Sequence, residues 1–160
     1  MTKDDIRKIL VPFDGSKFSK KAVLKAAIIA KKFDAHVSFL TVVPSGSNPT
    51  PSKILGILVD DKKAQKGFHQ TVCGIRMELK LGLSKIVKDC NKENISAEYK
   101  ILEGNTIEKI IQTAKKGKYD LIVMGSHGLT GLTKIIALGS VARAISEIAP
   151  CPVLLVRNNL

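Results

Sequence analysis

From Met124 to Val141 the chain reads MGSHGLTGLTKIIALGSV: an apolar exit, two glycines three residues apart, then a glycine-serine pair leading into an apolar run. These residue types suit an oxyanion. Gly125 and Gly128 carry no Cβ, so their peptide groups can approach a ligand closely and adopt positive φ. Gly139-Ser140 opens a helix whose first N–H groups have no partner within the helix and whose positive dipole end favours negative charge, with the Ser140 hydroxyl as a further donor. Two such groups, one on each side of a loop, point to phosphate. The pattern is neither the dinucleotide G-x-G-x-x-G fingerprint nor the G-x-x-x-x-G-K-[ST] phosphate loop. His127 lies within the same turn as a candidate acid or base, but the turn supplies no carboxylate to orient it, and no catalytic residue is assigned.

Those residues need a scaffold. Lys8 to Phe13 (KILVPF) is a short continuous apolar run closed by Asp14-Gly15-Ser16, as expected of a strand buried on both faces. Ser16 or Ser19 can cap the helix that follows, in which Ala22, Val23, Ala26, Ile29, Ala30 and Phe33 recur at spacings of three and four. A second strand spans His36 to Val43, and a long amphipathic helix runs from about Gly67 to Cys90. A third strand, Ala97 to Leu102, leads to a helix capped by Asn105 with Glu108 three residues on and ended by Gly117. Asp120 to Met124 is the fourth strand, a last helix falls within Ala137 to Ile148, and Pro152 to Arg157 is the fifth strand.

Alternating strands and helices, with strands this apolar, predict an α/β fold: a five-stranded parallel sheet between two helical layers. Ligands of such sheets sit beyond the strand carboxyl ends, where the strand order switches. The turns after the first, second and fourth strands are therefore the expected site. One domain is expected over 1–160, and its irregular insert is 45–66, a loop or lid that is long for a compact domain.

Composition narrows the function. No apolar run approaches the roughly 18 residues of a membrane span, and the start MTKDDIRKIL is too charged for a secretory signal, so a cytoplasmic protein without a membrane partner is expected. Cys73, Cys90 and Cys151 lack metal-site spacing and read as reduced, buried thiols, and no protein-held metal is expected. A net charge of +12 favours anionic partners without choosing among them. The lysines are scattered and there is no Trp, which makes nucleic acid an unlikely ligand.

With these segments in view, the chain resembles the universal stress protein family. The resemblance rests on KILVPFDGS (Lys8 to Ser16), FLTVV (Phe39 to Val43), DLIVMGSHG (Asp120 to Gly128), GSVA (Gly139 to Ala142) and APCPVLLVR (Ala149 to Arg157). It implies an adenine nucleotide alpha hydrolase-like, Rossmann-like sheet and, in the nucleotide-binding branch, the pattern Gly-x2-Gly-x9-Gly-[Ser/Thr]. Ten residues (Leu129 to Leu138) separate Gly128 from Gly139 here, and the extra residue is expected to bulge within LTGLTKIIAL.

The resemblance implies a residue-by-residue site for ATP or AMP. Asp14 would accept from the ribose hydroxyls, backbone groups of Val42 would meet the adenine edge, Pro12 and Phe13 would form a wall, and Met124 would lie under the nucleoside. Gly125, His127, Gly128, Gly139, Ser140 and Val141 would line the phosphates, which with water would hold any Mg2+. It also implies a homodimer through the last strand, 152–157, which at a sheet edge has unpaired backbone groups. The function expected is a regulatory, stress-response binding module. Two other readings stay open: a slow ATPase, and a basic protein associated with nucleic acid through its charge.

Overall fold

The computed structural model describes residues 5–43, 64–128 and 138–157, with side chains of the second helix described from Met77 onward. Along these residues strands and helices alternate: β1 (Lys8–Pro12), α1 (Lys17–Phe33), β2 (His36–Val43), α2 (Ala64–Lys92), β3 (Ala97–Glu103), α3 (Thr106–Gly117), β4 (Leu121–Gly125), α4 (Ser140–Ile148) and β5 (Val153–Val156). Every ladder is parallel, and the order across the sheet is β3-β2-β1-β4-β5. The chain steps outward from β1 to β3 and then returns to lay down β4 and β5 on the other side. The order therefore switches between β1 and β4.

Side-chain alternation along the strands builds two cores. Ile9, Val11, Val37, Phe39 and Val123 face α1 and α2, meeting Ala22, Ala26, Leu83 and Cys90. Leu10, Leu40, Ile122 and Met124 face the opposite way, against Ile110 and Ala114 of α3 and Ala142 and Ile145 of α4. Central strands with helices on both sides have no solvent face, and Ile9, Leu10, Val11, Ile122 and Val123 are fully buried.

Local chemistry sets the helix ends. Ser16 is the α1 cap: its Oγ accepts from the Ser19 N–H at 3.1 Å, while Ser19 Oγ donates to the Ser16 carbonyl at 3.0 Å. Asn105 caps α3 by accepting from the Glu108 N–H at 3.0 Å. The Glu108 carboxylate instead accepts from Gln112 Nε2 at 2.7 Å. Gly117 is the last residue of α3, but the left-handed turn belongs to Lys118 (φ 51°). Gly117 is small because a Cβ there would run into the Tyr119 ring.

α2 begins at Ala64, so the irregular insert expected over 45–66 yields its last three residues to helix. The remainder of the proposed lid lies outside the described residues, as does all but Leu138 of the LTGLTKIIAL loop. Cys90 is a buried free thiol and Cys151 a half-buried one, and the Cys73 side chain is outside the described set. Burial, reinforced by the Asp89 and Asp120 carboxylates respectively, pushes both thiols above the usual range. Among the described residues no helix is long and apolar enough to cross a membrane.

Candidate functional site

A cleft of about 290 Å³ opens at the carboxyl ends of β1, β2 and β4, at the switch in strand order. Its first wall is the turn from β1 into α1. Phe13 donates its N–H to the Leu40 carbonyl at 2.8 Å, and its own carbonyl accepts from Thr41 Oγ1 at 2.6 Å, which clamps the turn to β2. Asp14 Oδ1 accepts from the Ser16 N–H at 2.9 Å, and Gly15 takes φ +82°, a backbone state glycine reaches without strain. Asp14 therefore serves the turn with one oxygen. Its other oxygen, Oδ2, points at Gly128.

The second wall is the end of β2. Peptide groups along β2 alternate between neighbours. On the β3 side the Val37 N–H donates to Ser96 and the Val43 carbonyl accepts from Gly104. On the β1 side the His36 N–H donates to Arg7 and the Leu40 carbonyl accepts from Phe13. The alternation turns the N–H and C=O of Val42 toward β1. The β1–β2 register ends at Pro12↔Leu40, so this donor and acceptor lie past the ladder, at the cleft that Val42 lines.

The third wall carries the glycines. A Cβ on Gly125 would stand 2.7 Å from Phe18 Cβ, 2.8 Å from the Phe18 carbonyl carbon and 3.0 Å from the Ser19 nitrogen, so the first turn of α1 rests on bare backbone. The expected positive φ is absent at Gly125 and Gly128; among the described glycines only Gly15 and Gly104 have it. What those two positions require is the missing side chain. The Gly139 N–H donates to the Ser126 carbonyl at 2.9 Å, drawing the start of α4 against residues 126–128. A Cβ on Gly139 would sit 3.3 Å from His127 Cα and 3.8 Å from the Gly128 nitrogen.

Within α4 the Arg143 N–H donates to Gly139, and Gly139, as the cap residue, has no side chain to accept from the first turn. The N–H groups of Ser140, Val141 and Ala142 therefore have no partner inside the helix, and the dipole end meets the Gly128 segment. The His127 ring lies against Phe18 (centroids 5.2 Å apart, tilted 41°), and its Nδ1 is 3.0 Å from Ser126 Oγ.

All eleven residues singled out from the sequence line this one cleft: Pro12, Phe13, Asp14, Val42, Met124, Gly125, His127, Gly128, Gly139, Ser140 and Val141. Ser19, Leu40, Thr106, Ile110 and Ala142 line it as well and were not foreseen. Leu40 was within reach, since a side chain two residues before Val42 shares its face of the strand. Thr106 and Ile110 were not, because they enter from α3, whose position depends on the strand order.

A model of the "Universal stress protein family" matches residues 5–157. Universal stress protein MJ0531 of Methanocaldococcus jannaschii is 36% identical over 152 residues, covering 95% of this chain and 82% of that protein. Universal stress protein YxiE of Bacillus subtilis is 33% identical, covering 94% of this chain and 98% of that protein. Among solved structures, hypothetical protein MJ0577 superposes with a TM-score of 0.75 at 25% identity, over 98% of this chain and 99% of that one. A universal stress protein family protein from Arabidopsis thaliana with AMP bound gives 0.65 at 21% identity, over 96% and 92% of the two chains. The universal stress protein from Archaeoglobus fulgidus in complex with dAMP gives 0.64 at 22% identity, over 95% and 98%. The sheet is of the adenine nucleotide alpha hydrolase-like type. By this match over nearly its whole length, the chain belongs to the universal stress protein family.

Proposed function

We propose that the cleft binds an adenine nucleotide, ATP or AMP, and that the protein acts as a regulatory module in a stress response rather than as an efficient catalyst. The observation that carries this reading is the Gly139-to-Ser126 hydrogen bond, which brings the α4 amides that have no partner within the helix to the Gly128 turn, as one phosphate group requires. The N–H and C=O of Val42 match the acceptor N1 and donor N6 of adenine, whereas guanine offers the reverse pair. Asp14 Oδ2 would accept from the ribose while Oδ1 keeps Ser16. Pro12, Phe13 and Met124 would enclose the nucleoside. The bound AMP and dAMP named for two proteins of the same fold support the choice of ligand.

No three His, Cys, Asp or Glu gather into a metal site among the described residues, so Mg2+ entering with ATP would be held by its phosphates and water. β5 lies at a sheet edge, and a second copy pairing there would give the homodimer. A cytoplasmic setting fits the free thiols of Cys90 and Cys151.

Mass spectrometry of the small molecule released on denaturing the purified protein should identify an adenine nucleotide, and calorimetry should register heat on titrating ATP or AMP into emptied protein. An empty cleft together with no heat for either nucleotide would defeat the reading. Vigorous phosphate release abolished by His127→Ala would replace it with an ATPase.

A further inference from the structure

Five of the six large apolar side chains exposed on the described surface, Leu24, Ile28, Phe33, Met77 and Leu81, belong to the α1–α2 layer. Leu24 is 66% and Ile28 63% exposed, one helical turn apart. They lie on a stripe of α1 that steps by three and four through Lys17, Lys21, Leu24, Ile28 and Lys31. Lys20, Lys25 and Lys32 flank it, all six lysines are exposed, and α1 contains no acidic residue. On α2, Met77 and Leu81 repeat the one-turn spacing beside exposed Lys80, Lys85 and Lys88. Among the described residues acidic groups near this surface are few, and exposed Asp34, the cap that ends α1, is one of them. Glu93 pairs with Lys31 at 3.0 Å, Asp89 with Lys92 at 3.4 Å, and Glu78 lines a crevice with Lys20.

We infer, against the expectation of no membrane partner, which rested on the lack of a spanning run alone, that the outer surface of the α1–α2 layer docks on an anionic lipid bilayer as a surface contact, with Leu24 and Ile28 entering the interface and the lysines around them reaching lipid phosphates. The charge of the layer is complementary to that partner, and the residue types choose it over others. Lysine stems spread over an apolar boundary while their ammonium heads stay hydrated, as a lipid surface permits. A protein interface would have to immobilise these lysines, a residue depleted from such interfaces. A nucleic acid would set Leu24 and Ile28, at the middle of the stripe, against phosphates. The inference is independent of the nucleotide cleft.

Flotation with phosphatidylcholine vesicles, with and without phosphatidylserine, tests it on the full chain. Wild-type protein should float only with phosphatidylserine present and be released by salt. Lys21→Gln with Lys25→Gln should lower partitioning roughly tenfold or more. Leu24→Ser with Ile28→Ser should also weaken it while leaving the salt dependence in place. All four sites are exposed, so unchanged circular dichroism is expected of both variants. No flotation at low salt, flotation indifferent to both variants, or lysine-dependent binding to duplex DNA without vesicle binding would each overturn the inference.

Discussion

Asp14 Oδ2 lies 3.0 Å from the point where a Cβ on Gly128 would stand. The carboxylate has little room to withdraw, because Oδ1 is held by the Ser16 N–H at 2.9 Å. Gly128→Ala should therefore displace the oxygen proposed to accept from ribose, while leaving the fold intact because Gly128 has no positive φ. Affinity for AMP should fall about tenfold or more, the loss expected for one hydrogen bond to a charged group. Calorimetry beside thermal unfolding checks this. Unchanged affinity in a normally folded variant would remove Asp14 and Gly128 from the site.

Gly125→Ala should act on stability first. The added methyl would meet Phe18 Cβ, the Phe18 carbonyl carbon and the Ser19 nitrogen, and two of these are backbone atoms of the first turn of α1. A rotamer change cannot relieve that, so β4 and α1 must move apart. Overpacking of this kind costs about 1–3 kcal/mol. A melting temperature equal to wild type would show that the two elements separate freely.

Ser16→Ala should cost about 1 kcal/mol, the usual consequence of removing a helix cap. Ser16 is 6% exposed, so little water can replace its Oγ as acceptor for the Ser19 N–H. The same turn carries Asp14, so nucleotide affinity should weaken as well. Denaturant unfolding with calorimetry reads both, and loss of neither would show that Ser16 does not order the turn.

The parts legible in the sequence share a physical cause. KILVPF and DLIVM are strands with no solvent face, and burial on both sides leaves an unbroken apolar run. Asn105 was legible because a cap demands a small acceptor at one position. Gly125 and Gly128 were recognised as necessary for a reason only half right. A glycine can be required for its φ or for its missing Cβ, and only the neighbours Phe18 and Asp14, distant in sequence, show that the second applies. Thr106 and Ile110 stayed hidden because β2 stands between β1 and β3, an order no local pattern records. The sequence pattern announces α2 only from about Gly67, since Ala64 to Lys66 contain no apolar repeat.

Glu98 links stability to pH at the opposite end of β2 and β3. Burial tends to raise its carboxyl, but hydrogen bonds from Lys100 Nζ at 3.0 Å and Ser38 Oγ at 2.9 Å, with the charges of Lys100 and His36, outweigh burial and hold it below the usual glutamate range. A carboxyl with a lowered folded-state value adds stability that is complete above its unfolded value, about 4.3. That stability drains away as pH falls through the folded value. Lys100 is raised, chiefly by its hydrogen bond to Glu98, against opposing desolvation. Its share is present below the ordinary lysine value and lost as pH rises through the raised one. Glu98→Gln, which stands in for the protonated carboxyl, should therefore lower the melting temperature near neutral pH by the same small amount that it removes from the loss on acidification, small because the pair is exposed and screened. Parallel melts from neutral pH into the acid limb decide the point: if wild type and variant lose stability at the same rate, the lowered carboxyl is not coupled to folding.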